Sequence, residues 1–412
     1  MSETVFTVEA TPIVYGRGAA REAGFHVSQL GVKRALVVTD PHVAGLGIAQ
    51  QVRDALGESD IATDMFAEAQ IEPNETSALQ AIERAHEGGF DGVVGVGGGS
   101  SIDTAKIIAL FATHGGELLD YVNKPIGKAI APPGPLMPLA AIPTTSGTGS
   151  EASPNAIMDF PALGAKTAIS HRYLRPRLGI VDPLFLQEMP GPVGASAGLD
   201  VVCHAIESYT ARPFTSRDAS APAERPSYQG ANPVADVWSA RAIELGHQYL
   251  RRCVRDPDDL EARSQMMLAA TTMGIGFGNA GVHVPHACAY PIASLKHAWT
   301  PAGYPTGHAF VPHGFSVAVT APAAFRFTQQ AGPARHEEAA RLLTGGASDD
   351  LRAAMRALME DVGAPTTLGE LGYDNSDLDE LASGALKQQR LLKMAPRSVT
   401  KTDLRRVLEE SL

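Results

Sequence analysis

Asp200, His204 and Glu207 interrupt the apolar stretch "GLDVVCHAIESY" at residues 198–209. Helical side chains three or four positions apart share a face, so these polar groups form one stripe. That stripe faces either water or something that needs oxygen and nitrogen ligands. A single Asp-x-x-x-His on a helix is more often a hydrogen-bonded core or surface pair than a metal site, so support has to come from elsewhere in the chain. "GNAGVHVPHACAYP" brings His283 and His286, and "FVPHGFSV" brings His313 beside Gly314, a residue that permits close approach. Asp200 and His204 with two of these histidines would make a nitrogen-and-oxygen site without thiolate. Such a site suits Fe2+, Zn2+ or a similar divalent ion and stays open to a substrate oxygen. His283 and His286 are three residues apart, and spacing alone does not choose between them.

A second constellation lies in "DGVVGVGGGSSIDTAK", residues 91–106, where an apolar strand runs into Gly97, Gly98 and Gly99. Ser100 or Ser101 is placed to cap the helix that follows, with Asp103 in its first turn. Glycines let backbone N–H groups approach an anion and the helix N-terminus adds positive potential, so the turn is suited to a phosphate. The spacing departs from the strict GxGxxG fingerprint, and a Gly-rich turn alone is as often only a tight turn. Asp40 ends the strand "RALVVTD", where an acid can accept from the ribose hydroxyls of NAD and repel the 2′-phosphate of NADP; the plain alternative is a solvated turn acid. "IPTTSGTGSEAS", residues 142–153, offers a second ligand-facing loop or a simple polar connection.

These groups have to be positioned by larger elements. From about residue 30 to 190, short β-branched runs ("RALVVTD", "DGVVGVGGG", "LMPLAAIPTT") alternate with amphipathic stretches, which is the pattern of an α/β fold with a largely parallel sheet. Beyond it the pattern is helical, as in "DLEARSQMMLAATTMGIGF" and "RHEEAARLLTGG". The reading is an N-terminal Rossmann-like parallel-sheet domain, 1–190, followed by an all-α domain, 191–412, that carries the metal and substrate residues. Long Pro-, Gly- and Ser-containing loops are expected at 211–233 and 294–312.

The chain has 412 residues, 44% of them hydrophobic, enough for a large core. With 34 basic against 45 acidic residues and no basic run, nucleic acid is an unexpected partner. No apolar stretch is long enough to span a bilayer. "MSETVFTVEATPIVYG" has neither the pattern of a secretory signal nor that of an organellar leader, and Cys203, Cys253 and Cys288 lack CxxC spacing. A cytoplasmic protein with free thiols is the expectation.

Taken together, "GGGSSIDTAK", "IPTTSGTGSEAS", "AGLDVVCHAIESYT" and "VPHGFSV" resemble the iron-containing, or group III, alcohol dehydrogenase family, from about residue 5 to the C-terminus. The resemblance implies the dehydroquinate synthase-like fold of that family and a metal held by one Asp and three His, here Asp200, His204, His286 and His313, with His283 outside. It implies NAD held by Asp40, the Gly97, Gly98, Gly99, Ser100 and Ser101 turn with Asp103, the Thr144, Thr145 and Thr148 loop, and Lys166. Fe2+ is the metal expected and Zn2+ the alternative. A homo-oligomer, as a dimer, is also expected.

Many alcohol-oxidising members carry "HxxxH" at the third ligand, where this chain has Tyr290 in "HACAYP". With "RPSYQGANP", "DPDDLEARS", "LLDYVNKPIGK", "GIGFGNAGVH" and the long insert before "VPHG", this is similar to the hydroxyacid-oxoacid transhydrogenase branch. That branch passes a hydride from 4-hydroxybutyrate to 2-oxoglutarate on a retained nicotinamide. Asp200, His286 and Tyr290 are then the catalytic candidates, Tyr290 as proton relay or substrate contact against an equal case for a packed aromatic. Acid substrates need a cation, and Arg225 or Lys296 from the two inserts is the candidate, although a solvated loop charge is the commoner fate of such residues. The alternatives are a conventional NAD-dependent alcohol or 4-hydroxybutyrate dehydrogenase, and a lyase of the dehydroquinate synthase kind, for which the Lys- and Arg-rich phosphate site is missing. Glu207 reads as a polar end to its helix face or at most a partner behind a ligand.

Overall fold

The computed structural model describes residues 2–163, 165–295, 299–304 and 309–412. The chain divides into two compact units, Ala10–Glu188 and Met1–Glu9 with Met189–Leu412.

In the first unit, strands β1 (Ile13–Tyr15), β2 (Arg34–Val38), β3 (Ala62–Phe66), β4 (Gly92–Gly97), β5 (Leu139–Pro143) and β8 (Leu178–Val181) form a six-stranded sheet in the order β1-β8-β5-β4-β2-β3. Every pairing in it is parallel. Side chains alternate across the sheet, so both faces must be apolar when helices cover both. Accordingly Leu36 and Val38 pack to one side with Val93, Ile107 and Leu110. Ala35 and Val37 pack to the other with Val52, Val94 and Ile180. The chain passes from β2 outward to β3 and then back across to β4. The carboxyl ends of β2 and β4 therefore border a topological switch point, where open α/β sheets bind ligands.

An antiparallel pair, β6 (Asn155–Phe160) with β7 (Ala165–Ser170), stands apart from this sheet, an addition to the parallel pattern expected. The helix Gly99–His114 grips it through a buried ion pair. Lys106, fully buried, lies 3.3 Å from Asp103 and donates to the Asn155 carbonyl at 2.6 Å, while Asp103 accepts from the Ile157 amide at 2.9 Å. Charges leave water only when paired and hydrogen-bonded, and here each carries further partners.

The second unit is helical. Gly191–Thr210, Pro233–Arg255 and Leu260–Ala280 are its long elements. Asn232 starts the second of these, its side chain accepting from Val234 and Ala235 with proline at the first helical position. Residues 211–232 between the first two hold the single 3-10 turns Phe214–Ser216 and Pro222–Glu224 and isolated bridges at Pro213, Asp218 and Ala231. The first nine residues, assigned on sequence to the α/β part, sit instead with the helical unit. The Thr7 amide donates to Gln229 and the Glu9 amide to Asn279, both at 2.9 Å, long-range pairings that no local pattern announces. Among the described residues no helix is long and apolar enough to cross a membrane.

Asp103→Asn leaves the Lys106 charge buried without its counter-ion, and the expected cost is about 3–5 kcal/mol. Asp103→Asn with Lys106→Met should recover most of that loss in denaturant unfolding; equal loss in single and double variants would assign the cost to the hydrogen bonds alone.

Candidate metal and nucleotide sites

Asp200 and His204 lie one turn apart on the helix Gly191–Thr210, and both are buried. His286 comes from the helix Val284–Ser294. Asp200, His204 and His286 present ligand atoms that all fall within 4.8 Å of one another. His204 Nδ1 is 3.0 Å and His286 Nε2 3.4 Å from Asp200 Oδ1, and His313 Nε2 approaches the same oxygen at 3.9 Å. The last approach depends on Gly314, since a Cβ there would stand 1.8 Å from the Ser196 carbonyl of the Asp200 helix.

Glu207, one turn beyond His204 and fully buried, explains why His286 and not its neighbour enters this group. Its Oε1 accepts the backbone N–H groups of His283 at 2.7 Å and His286 at 3.3 Å, and its Oε2 engages His286 Nδ1. The carboxylate thus caps the His286 helix, whose first N–H groups have no partner within the helix, and fixes the imidazole with its proton on Nδ1. His286 Nε2 faces Asp200, and both it and Asp200 Oδ1 are buried without a hydrogen-bond partner. A buried carboxylate oxygen facing an unpaired imidazole nitrogen is an arrangement that a metal cation would satisfy, displacing the proton on Nε2. His283 is turned away, with Nε2 3.1 Å from the Thr210 hydroxyl, and burial holds it down at about 4.

The electrostatics follow from the same contacts. Burial raises the Asp200 carboxyl, but the His204 and His313 imidazoles outweigh it and hold Asp200 well below the usual range. Burial likewise depresses His286, and the Glu207 and Asp200 carboxylates reverse this and raise it to about 9. The site draws cations. Cys203 and Cys288 lie beside these residues in sequence, yet burial pushes both thiols up, Cys288 to about 12, so the donor set remains nitrogen and oxygen. Tyr290, one turn beyond His286, is buried with its ring 6.4 Å from that of His313.

The glycine turn stands at the carboxyl end of β4. Gly98 is the helix N-cap and no side chain caps the helix, so Ser100 and Ser101 do not serve as expected. Ser101 donates to Asp40 at 3.0 Å, and Ser100 accepts from the Glu72 amide at 3.2 Å. A Cβ on Gly99 would meet Thr148 at 2.7 Å and one on Gly98 would touch Thr145, so the Thr144–Thr148 loop lies directly on the turn. Thr144 donates its amide to the Gly97 carbonyl at 3.0 Å. This is an uncapped helix N-terminus framed by hydroxyls, the arrangement that receives a phosphate.

Several assignments change. Asp103 lies in the second turn of the helix, and its oxygens are taken by Lys106, Ser150 and the Ile157 amide; it anchors the loops around the turn rather than facing a ligand. Asp40 caps the helix Pro41–Gly45 with one oxygen and accepts from Ser101 with the other, so it is not the solvated turn acid. Lys166 is buried and ion-paired with Glu72, a residue the sequence reading did not single out. Glu72 has φ 59, and its ties to Ser100 and Lys166 are tertiary, so "IEPNE" alone gives no signal. Arg225 has Glu3 as its ionic partner at 4.0 Å, not a member of the metal group, because the N-terminal segment crosses its loop. Lys296 lies outside the described residues.

Residues 10–183 match the family model for iron-containing alcohol dehydrogenase, and residues 223–412 match its C-terminal counterpart. The chain is 43% identical to the mitochondrial hydroxyacid-oxoacid transhydrogenase of Mus musculus, covering 100% of this chain and 91% of that protein. Among solved structures it is similar to an archaeal halo-thermophilic Red Sea brine pool alcohol dehydrogenase, 27% identical with TM-score 0.84 and all of both chains covered. It is also similar to the sulfoacetaldehyde reductase of Bifidobacterium kashiwanohense, determined in complex with NAD+, at 26% identity and TM-score 0.82, covering 99% and 98% of the two chains. The mitochondrial naming of the mouse protein overturns the cytoplasmic expectation. Buried free thiols fit any reducing compartment, so they never distinguished one from another.

Glu207→Gln keeps the shape but removes the charge that fixes His286. Binding of Fe2+ or Zn2+ measured by equilibrium dialysis should weaken by about 10- to 100-fold. Unchanged affinity would mean that His286 is held by packing.

Proposed function

Because the chain belongs to the iron-containing alcohol dehydrogenase family, we propose that it is a metal-dependent hydroxyacid-oxoacid transhydrogenase. In this reading it passes a hydride from 4-hydroxybutyrate to 2-oxoglutarate through a nicotinamide that stays bound. The observation that carries the oxidoreductase part is the convergence of Asp200, His204 and His286 with orphaned ligand atoms. The similarity to the mouse transhydrogenase over the whole chain supports the substrate class.

Asp200, His204, His286 and His313 would hold the ion, and their hard donors without thiolate favour Fe2+, with Zn2+ the competitor. Bound there, a divalent ion would supply Lewis acidity toward the hydroxyl of the donor acid or the carbonyl of the acceptor. Glu207, by engaging Nδ1, directs His286 to offer Nε2 to the ion in place of a proton. Tyr290, beside His313, is the relay: its hydroxyl accepts the proton leaving the substrate hydroxyl while passing its own proton on toward solvent, and the reverse transfer protonates the second substrate. The Gly97–Ser101 turn would take the pyrophosphate of NAD, with Thr144, Thr145 and Thr148 on the turn and Lys166, paired with Glu72, as a further candidate. The Asp40 charge, next to Ser101, disfavours a 2′-phosphate, which selects NAD over NADP.

The test supplies iron-loaded protein with 4-hydroxybutyrate and 2-oxoglutarate and follows 2-hydroxyglutarate, first with no NAD added and then with excess. Product without added cofactor is expected. NADH accumulation from free NAD without 2-hydroxyglutarate would instead make it a conventional dehydrogenase. Asp200→Asn should abolish both half-reactions, and Tyr290→Phe should lower kcat by about 100-fold or more with little change in KM. A Tyr290→Phe enzyme of normal kcat would return the residue to the role of a packed aromatic.

A further inference from the structure

Two guanidinium groups in the helical unit face one carboxylate, and a third, that of Arg212, acts on the first of them. Arg217 Nη2 lies 3.7 Å and Arg225 Nε 4.0 Å from the same oxygen of Glu3, close enough for ionic attraction but too far for a hydrogen bond. These side chains are hidden from water, 7% exposed for Arg217, 11% for Arg225 and 4% for Glu3. Arg217 Nε and Nη2, Arg225 Nε, Arg212 Nε and Glu3 Oε2 are all buried without a hydrogen-bond partner. The other edge of Arg212 is satisfied, by the carbonyls of Lys393 at 3.2 Å and Ser216 at 2.9 Å. Glu3 Oε1 is likewise used, accepting from the amides of Thr4 and Val5 at 3.0 Å.

Arginine does not shed its proton in a protein, so this is a region of excess positive charge with idle donors. Burial holds Arg217 below its ordinary pKa; Glu3 is the next largest influence and opposes it, and the neighbouring Arg225 and Arg212 add smaller repulsions. Buried donors left unpaired are rare, and where they occur they signal a missing water, ion or ligand. The unpaired atoms are also informative in kind. Nε and Nη2 of Arg217 form one edge of the guanidinium, the edge that binds a carboxylate or phosphate through two parallel hydrogen bonds.

The enclosure is built. Residues 2–9 cross the 211–232 loop, with Ser2 in an antiparallel bridge to Asp218 and the Glu3 amide donating to the Arg217 carbonyl at 2.9 Å. The Phe6 ring meets Phe214 edge-on at 4.8 Å, and Gln229 exchanges hydrogen bonds with Thr7. We propose that Arg212, Arg217 and Arg225 form a binding site for a small oxyanion, a carboxylate or phosphate group with at least two acceptor oxygens, beneath this N-terminal segment. None of its residues pairs with Asp200, His204 or His286, so the proposal stands whatever reaction the metal group performs.

Calorimetric titration of the intact protein with inorganic phosphate, and separately with succinate, tests it at fixed ionic strength. Saturable binding of at least one is expected; the tighter probe identifies the source as phosphate or carboxylate. Arg225→Gln should weaken it about tenfold, and Glu3→Gln should tighten it about threefold because a competing negative charge is gone. Opposite signs from two neighbouring substitutions would not arise from general damage, and Glu3→Gln carries the test if Arg225→Gln fails to fold. No saturable binding of either probe, or binding unchanged by both substitutions, overturns the proposal.

Discussion

The buried carboxylate of Glu207 is the interaction on which the metal group depends. It ties two helices that are far apart in sequence, satisfies the N-terminal amides of one with a side chain from the other, and sets the proton of His286 in the same contact. A carboxylate with no exposure would be costly if unpaired. Here burial raises the Glu207 carboxyl and the His286 and His283 contacts outweigh it, keeping Glu207 ionised. The same charge therefore does structural and chemical work. It places His286 against Asp200 and tilts that imidazole toward a strong ligand.

The α/β unit uses a comparable device for a different end. Asp103 and Lys106 are sealed inside, and their hydrogen bonds reach the Ser150 hydroxyl, the Asn155 carbonyl and the Ile157 amide. Thr148 in turn donates to Ser150. A chain of polar contacts thus runs from the helix interior to the loop that lies on the glycine turn, so the turn's geometry is set from below while its N–H groups remain uncapped by side chains. Binding surfaces formed of loops need such support if they are to be preorganised.

Much of this was legible in the residues. Alternating β-branched runs followed by amphipathic helices gave the two-part fold class, and the glycines, hydroxyls and histidines stood at positions whose local geometry follows from helix and strand periods. Glu207 was visible only as a polar position on a helical stripe, because spacing reports which face a side chain occupies and not what meets that face. Arg225 shows the converse: a cation in a long loop near the metal motifs was assigned to substrate, whereas its partner is Glu3, over two hundred positions earlier.

Sequence by itself determined which chemistry was possible: Asp200 and His204 on one turn, two further histidines, a Gly-rich helix entry and no thiolate in position. Tertiary structure decided which of these residues act together. It selected His286 over His283, withdrew Asp103 into the interior, moved the first nine residues to the helical unit and set Arg217 and Arg225 against one acid. The reason is that periodicity fixes neighbours within a turn or a strand, while long-range pairing is fixed by which buried polar groups can satisfy one another, and that matching is settled only when the elements pack.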